Sequence, residues 1–265
     1  PAAGLLLAGP SLASCAGSTA GQSAQAWPSF PDLAASAEPI TPEEHAARIE
    51  KAQRLLQEVG AAALLLESGS SLTYFTGVRW GRSERFTGAI IPASGAPAIV
   101  TPEFEEPSIR ESLRIEADVR VWNEHQNPFE RVAGILSDRS ATDGPIAIEE
   151  TVRFFIADGV AVATDRPQIS ANPIVRQCRM YKSSAELALM QSATDITMAA
   201  YRHVHANLQL GMSSGDVSAM MSNATRALGG SVEFSMALLN EASAYPHGTD
   251  APQAIREGSL ILMDC

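Results

Sequence analysis

The 265-residue chain carries 19 basic and 30 acidic side chains, a formal net charge of −11. That balance argues against nucleic acid as a partner, because phosphate-binding surfaces need a basic stripe and Lys and Arg are not gathered in any long run here. With 45% hydrophobic and 18% charged residues the chain is globular rather than disordered, and long enough for one large domain or two ordinary ones.

The chain opens on PAAGLLLAGPSLASCAGS, an apolar run of signal-peptide type that is too short to span a bilayer as a helix. It leads into Leu12-Ala13-Ser14-Cys15, which resembles a bacterial lipoprotein box with Cys15 as the residue to be lipidated. Ala24-Gln25-Ala26 also fits the small-residue rule for ordinary cleavage before Trp27. The expectation is an exported protein, periplasmic or held at a membrane through Cys15; a leader without any address is the plainer alternative. Neither an initiator Met nor a basic n-region is present, so the chain is expected to be cut at this end. Residues 16–40, rich in Ala, Ser, Gly and Pro, read as a tether, and 1–39 as leader plus linker.

Order is predicted from Thr41-Pro42-Glu43-Glu44, where Thr41 caps a helix, Pro42 suits its first turn and Glu44 completes a capping box. Ile49, Ala52, Leu55, Leu56 and Val59 share a face, and Gly60 ends the helix. Strands are predicted at 61–67, 87–92, 97–101, 118–122 and 145–149, with helices near 103–115 and 127–139 and a helical turn at 151–157. That alternation predicts an α/β domain over 40–172. The segment 172–184, with the basic residues Arg176, Arg179 and Lys182 and little periodicity, reads as the connection to a second domain, 173–265.

Ser183 with Glu186 makes another capping box. After it Leu187, Met190, Thr194, Met198, Tyr201 and Leu208 keep a helical period until Gly211. A second helix is predicted over 215–228 with Val217, Met220, Met221, Ala224 and Leu228 inward. SVEFSMALL (231–239) alternates, with Val232, Phe234, Met236 and Leu238 on one side of a half-buried antiparallel strand. A turn at Arg256-Glu257-Gly258 opens a last strand, SLILMDC. Two helices laid over an antiparallel sheet begin an α+β domain.

His247 lies in a loop between these two strands and Asp264 closes the second. Alone, a loop histidine is commonly solvated and a strand-end aspartate commonly forms a turn. Antiparallel neighbours, however, could bring imidazole and carboxylate to one sheet face, where they suit acid–base work or metal binding. His203 and His205, two apart on a helix, face different ways and do not share a metal. They read as surface or packing residues, as do His45 and His125.

Four motifs carry a resemblance. They are Arg179-Met180-Tyr181-Lys182-Ser183, the turn Gly211-Met212-Ser213, Asn240 seven residues before His247, and Gly258 leading to Asp264. In that order they resemble the pita-bread metallopeptidases: Xaa-Pro dipeptidase (prolidase), aminopeptidase P and their relative creatinase. The resemblance covers roughly residues 40–265, with the earlier part similar to that family's amino-terminal domain. It implies hydrolysis of the bond before proline by two divalent metal ions, manganese, cobalt or zinc, that lower the pKa of a bridging water. His247 matches the family's histidine beside the scissile carbonyl, and Asp264 the first of five metal ligands. The other four would fall after Cys265, so the chain is expected to be truncated there and inactive by itself. Cys265 is expected to be a small buried residue.

The resemblance also implies proline-containing peptides as substrates and a homodimer. A creatinase-like hydrolase of a small non-peptide substrate, or a metal-free binding protein on the same fold, are the alternatives. TYFTGVRWGRSERF (73–86) concentrates Arg79, Trp80, Arg82 and Arg85. They read either as loop arginines paired with nearby carboxylates or, by the family's habit of reaching an active site from this domain, as holders of a dipeptide carboxylate through Arg79 or Arg82.

Overall fold

The computed structural model describes residues 29–139 and 143–265; Cys15 and the Ala24-Gln25-Ala26 site lie outside them. Among the described residues the chain divides into two compact units: Leu33–Ala199, and Ala200–Cys265 with the residues that precede Leu33.

In the first unit the Thr41 hydroxyl accepts a hydrogen bond from Glu44 N–H at 3.2 Å and starts α1 (Pro42–Glu58), which stops before Gly60 in the left-handed region (φ 67°). Only half of the expected capping box forms. The Glu44 carboxylate turns instead to Arg48 at 2.7 Å and to the Ser183 hydroxyl at 2.7 Å.

The elements that follow are β1 (Ala63–Glu67), α2 (Ser70–Thr76), β2 (Gly88–Pro92), β3 (Ala98–Pro102), α3 (Glu106–Ser112) and β4 (Asp118–Trp122). After them come α4 (Pro128–Asp138), β5 (Ile146–Ile148), α5 (Phe154–Thr164), β6 (Gln168–Ser170) and α6 (Asn172–Arg179). The strands form one mixed sheet in the order β4-β3-β2-β1-β5-β6. β1 runs antiparallel to β2 and parallel to β5, which in turn is parallel to β6.

Helices cover both faces of this sheet, which is why its central strands read as unbroken apolar runs rather than alternating ones. Leu64 and Leu66 face one core with Leu56, Phe75 and Ile174, while Ala63 and Leu65 face the other with Val132, Ile135 and Val160. Leu64, Leu65 and Leu66 have no exposed surface, and each contributes roughly 1.5–3 kcal/mol through burial.

The stretch expected to be a bare connection folds differently. Residues 172–179 form α6, whose Ile174, Val175 and Cys178 are buried in the first of these cores. The single turn expected at 151–157 is the start of the eleven-residue α5.

α7 (Ser184–Asn207) starts at the reciprocal Ser183–Glu186 box, with Ser183 N–H to Glu186 Oε2 at 2.9 Å and Glu186 N–H to Ser183 Oγ at 3.1 Å. Its buried stripe is only partly the expected one, with Tyr201 and Leu208 packed on the second unit's core. Leu187, Met190 and Met198 are exposed, and Ile196, Ala200 and Val204, spaced i, i+4, i+8, are inside.

The second unit contains the end of α7 together with α8 (Ser214–Ala227), β7 (Met236–Leu239) and β8 (Ile261–Asp264). α8 is capped by Ser213 and Asp216 in a full capping box and buries Val217, Met221 and Ala224, with Leu228 just past its end. β7 and β8 pair antiparallel from Leu239↔Ile261 to Met236↔Asp264. Val204, Val217, Met221, Ala237, Leu239 and Ile255 form this unit's core, with Ile261, Met263 and Cys265 packed on it.

Candidate active site

Pleating sorts the β7–β8 ribbon into two faces. The register pairs Ala237↔Met263 and Leu239↔Ile261 point toward the core, so the alternating pairs Met236↔Asp264 and Leu238↔Leu262 lie on the other face. Asp264 is exposed there, directly across from Met236.

The loop bearing His247 returns to the same place. After β7 a 3-10 turn (Asn240–Ala244) leads to a tight turn in which Gly248 N–H donates to Tyr245 O at 3.0 Å. Gly248 is left-handed (φ 88°), and a side-chain carbon there would sit 3.8 Å from Met236 Sδ. Met236 Sδ therefore lies near the turn of His247, and Met236 pairs across the strands with Asp264. His247 itself is exposed at the tip of the turn.

Asn240 fixes this arrangement. It takes the left-handed region (φ 54°), which asparagine tolerates better than most residues. Its N–H donates to Leu260 O at 2.9 Å, and Leu260 N–H donates to Asn240 Oδ1 at 3.2 Å. The exit of the strand before His247 is thereby tied to the entrance of the strand that carries Asp264. The Gly211-Met212-Ser213 turn is held similarly: Gly211 N–H donates to Ile255 O and Ile255 N–H to Met212 O, both at 2.8 Å. Two of the sequence motifs in this unit, the Gly211-Met212-Ser213 turn and Asn240, thus have a backbone reason.

Comparison with known proteins agrees with these motifs. The Creatinase/Prolidase N-terminal domain matches residues 48–181, and metallopeptidase family M24 matches residues 188–265. The chain belongs to this family.

Among M24 relatives, a protein named "Probable dipeptidase PepE" from Mycobacterium tuberculosis is 29% identical over 233 residues, covering 84% of this chain and 59% of its own length. An uncharacterized peptidase of Schizosaccharomyces pombe is 31% identical over 243 residues, covering 85% of this chain and 52% of its own. The crystal structure of dipeptidase PepE from Mycobacterium ulcerans superposes with a TM-score of 0.73 at 26% identity, covering 86% of this chain and 61% of that one. The Xaa-Pro dipeptidase of Bacillus anthracis shares the fold at a TM-score of 0.68 and 19% identity, covering 83% of this chain and 60% of that one. This chain thus spans about 60% of the PepE proteins it matches. The mixed sheet is the creatinase amino-terminal domain, and the second unit is the opening part of the pita-bread catalytic domain.

The M24 family implies a metal centre, and the described residues do not make one up. Asp264 offers a single carboxylate, and no group of three or more His, Cys, Asp and Glu side chains able to hold an ion occurs among the described residues.

Arg82 donates from Nε to Ser68 O at 3.1 Å and from one terminal nitrogen to Thr151 O at 2.7 Å and Thr151 Oγ1 at 2.6 Å. Arg85 pairs with Glu84 and with Glu124 at 2.6 Å. Arg79 is exposed and has no hydrogen bond or ion pair among the described residues.

His45 is buried, its Nδ1 3.0 Å from Tyr74 O, and burial holds its imidazole below the ordinary value. His203 packs edge-on against Phe30 at 5.0 Å, while His125 and His205 are exposed. Cys178 is a buried free thiol, pushed up by desolvation, and Cys265 is half-buried rather than fully enclosed.

Sequence reasoning passed over Asn240 as more than a motif position and over Met236 as the residue joining His247 to Asp264. A lone asparagine at a strand end, seven residues before a histidine, was the available signal for the first.

Proposed function

We propose that the chain is the amino-terminal domain and the beginning of the catalytic domain of a metal-dependent peptidase that hydrolyses Xaa-Pro bonds in short, proline-containing peptides. The observation that carries this reading is the sheet face on which Asp264 pairs with Met236 while Met236 Sδ lies near the His247 turn. The name of the PepE relative supports a dipeptidase, and the Arg179-to-Asp264 motif series supports proline specificity.

In this reading Asp264 is the first of five ligands to two divalent metals, manganese, cobalt or zinc, with the other ligands supplied by residues after Cys265. Bound, those ions supply a water of lowered pKa. His247, exposed and pinned only through its turn, hydrogen-bonds the scissile carbonyl region and assists proton transfer. The 265 residues by themselves are proposed to be inactive.

Arg79 is the better candidate for holding a dipeptide carboxylate, since the Arg82 guanidinium is already committed to Ser68 and Thr151. In the longer protein, Arg79→Ala then lowers kcat/KM toward dipeptides but not toward longer peptides; equal loss for both contradicts the assignment.

Export and a homodimeric state belong to the same proposal. In this proposal membrane attachment is through a lipid on Cys15; the described residues contain no helix long and apolar enough to cross a membrane. Metabolic labelling with a fatty acid, lost in Cys15→Ser, supports the lipid anchor, and labelling that persists refutes it.

The function is tested on a polypeptide extended past Cys265, with an Xaa-Pro dipeptide and an Xaa-Pro-Xaa tripeptide, in manganese and after chelation. Metal-dependent cleavage of either supports the peptidase and shows its length preference. A folded protein that cleaves neither under any metal overturns it in favour of a creatinase-like hydrolase or a binding protein.

A further inference from the structure

At the carboxyl end of the parallel strand β5 lies a cleft of about 430 Å³, walled by Tyr74 of α2 on one side and by α6 and the turn after it on the other. Crevices at the carboxyl ends of parallel strands are where open α/β sheets hold small ligands, and this volume is in the range of a small-molecule site. Glu149, Val175, Arg179, Met180 and Lys182 line it with Tyr74.

The charges in the cleft are unequally committed. Glu149 Oε1 accepts from Ser71 Oγ at 3.0 Å, and its Oε2 accepts from Thr151 N–H at 2.8 Å and Thr151 Oγ1 at 2.6 Å. Glu150 accepts from Asn172 Nδ2 at 2.7 Å and pairs with Arg176 at 3.4 Å. Glu186 caps Ser183 and pairs with Arg48 at 3.2 Å. All three carboxylates are spoken for.

The two remaining cations are not. Arg179 donates one bond, to Ser71 Oγ at 3.0 Å, out of the five a guanidinium can make. The ammonium of Lys182 reaches only the carbonyls of Arg179 at 2.6 Å and Met180 at 3.2 Å. Neither is paired with a carboxylate among the described residues of a strongly acidic protein.

Arg179 is also held in place. Its guanidinium carbon lies 5.8 Å from the centre of the Tyr74 ring, and Tyr74 is anchored through its hydroxyl to Cys178 O at 2.8 Å. A positioned fork with open donors, a second cation three residues on in the turn after α6, and an apolar wall together describe a receptor for an anion with an apolar body.

We infer that this cleft binds a small organic monocarboxylate, with its carboxylate on Arg179 and Lys182 and its apolar part against Val175, Met180 and the Tyr74 ring. A single negative charge is required, because a dianion would crowd Glu149, Glu150 and Glu186. The inference does not depend on the peptidase reading.

Calorimetric titration of this chain with isovalerate tests it, with isovaleramide as the neutral isostere and inorganic phosphate as an anion without an apolar body. Saturable isovalerate binding is expected, with both controls weaker by about tenfold or more, the loss expected when a charge-assisted hydrogen bond or the apolar contact is missing. Arg179→Gln and Lys182→Gln should each weaken isovalerate by about tenfold. The exposed Lys182 variant should keep the parent's thermal midpoint, which separates loss of the site from loss of the fold. Absence of saturation, isovaleramide or phosphate binding as tightly as isovalerate, or a Lys182→Gln variant that binds like the parent each overturns the inference.

Discussion

Asn240 and Leu260 hold each other at two points, N–H to carbonyl at 2.9 Å and N–H to side-chain Oδ1 at 3.2 Å, across the gap between β7 and β8. Because His247 follows one residue and Asp264 the other, this clasp sets how the two candidate catalytic groups meet the same sheet face. An alanine at 240 would lose the Oδ1 acceptor and sit at φ 54°, where its Cβ is strained. Asn240→Ala is expected to destabilise by about 1–3 kcal/mol and Asn240→Gly by about 1 kcal/mol, since glycine relieves the backbone but not the lost bond. Urea unfolding measures both. Equal losses, or none, contradict the clasp.

Arg48 is the most enclosed cation with acidic partners in the first unit. One of its terminal nitrogens lies 2.7 Å from Glu44 and 3.2 Å from Glu186, the other donates to Tyr74 O at 2.9 Å, and the guanidinium rests 4.1 Å from the Tyr74 ring centre. Arg48→Met leaves both carboxylates uncompensated. As they keep some contact with water, the expected loss is about 2–3 kcal/mol, below that of a fully buried pair. Arg48→Lys retains the charge but not the fork and should cost less. A methionine variant as stable as the parent would refute the role.

His45 should give the chain an acid-side instability. Burial holds its imidazole below the ordinary 6.5, and the nearby Arg48 charge works in the same direction, while its bond to Tyr74 O opposes them. Below pH 6.5 the unfolded chain therefore binds more protons than the folded one. The His45 contribution is fully present above that pH and is lost as the pH falls through the lower folded-state value. His45→Gln should flatten this part of the stability–pH curve measured between pH 7.5 and 5, a window spanning about one unit or more on either side of a free imidazole's midpoint. An unchanged slope argues against it.

Much of the architecture was readable because local signals agreed with burial. Thr41 and Ser183 start helices as expected, and the apolar runs from 61 to 149 are strands because both sheet faces are covered. What was missed has physical causes. α6 is short and carries its apolar residues, Ile174, Val175 and Cys178, among basic ones, so its period is masked until the helix is packed. α5 is apolar nearly all round, which gives length but no phase. α7 offers two apolar stripes, and periodicity alone does not say which one meets a partner.

β7 begins only at Met236, although alternation runs from Val232, because the register ends at Met236↔Asp264 and the earlier residues have no strand partner among those described. The site was legible as spacing between His247 and Asp264. Their shared neighbour Met236 was not, since cross-strand register is not written in either strand alone.

The most direct test compares two variants of the polypeptide extended past Cys265, measuring bound divalent metal by elemental analysis alongside Xaa-Pro cleavage. Asp264→Asn is expected to lose metal and turnover together. His247→Ala should keep its metal while turnover falls by roughly 10²–10⁴-fold, the range for a positioned acid–base group. An Asp264→Asn protein that binds metal and cleaves like the parent, or a His247→Ala protein with unchanged turnover, would contradict the assignment of this sheet face as the catalytic one.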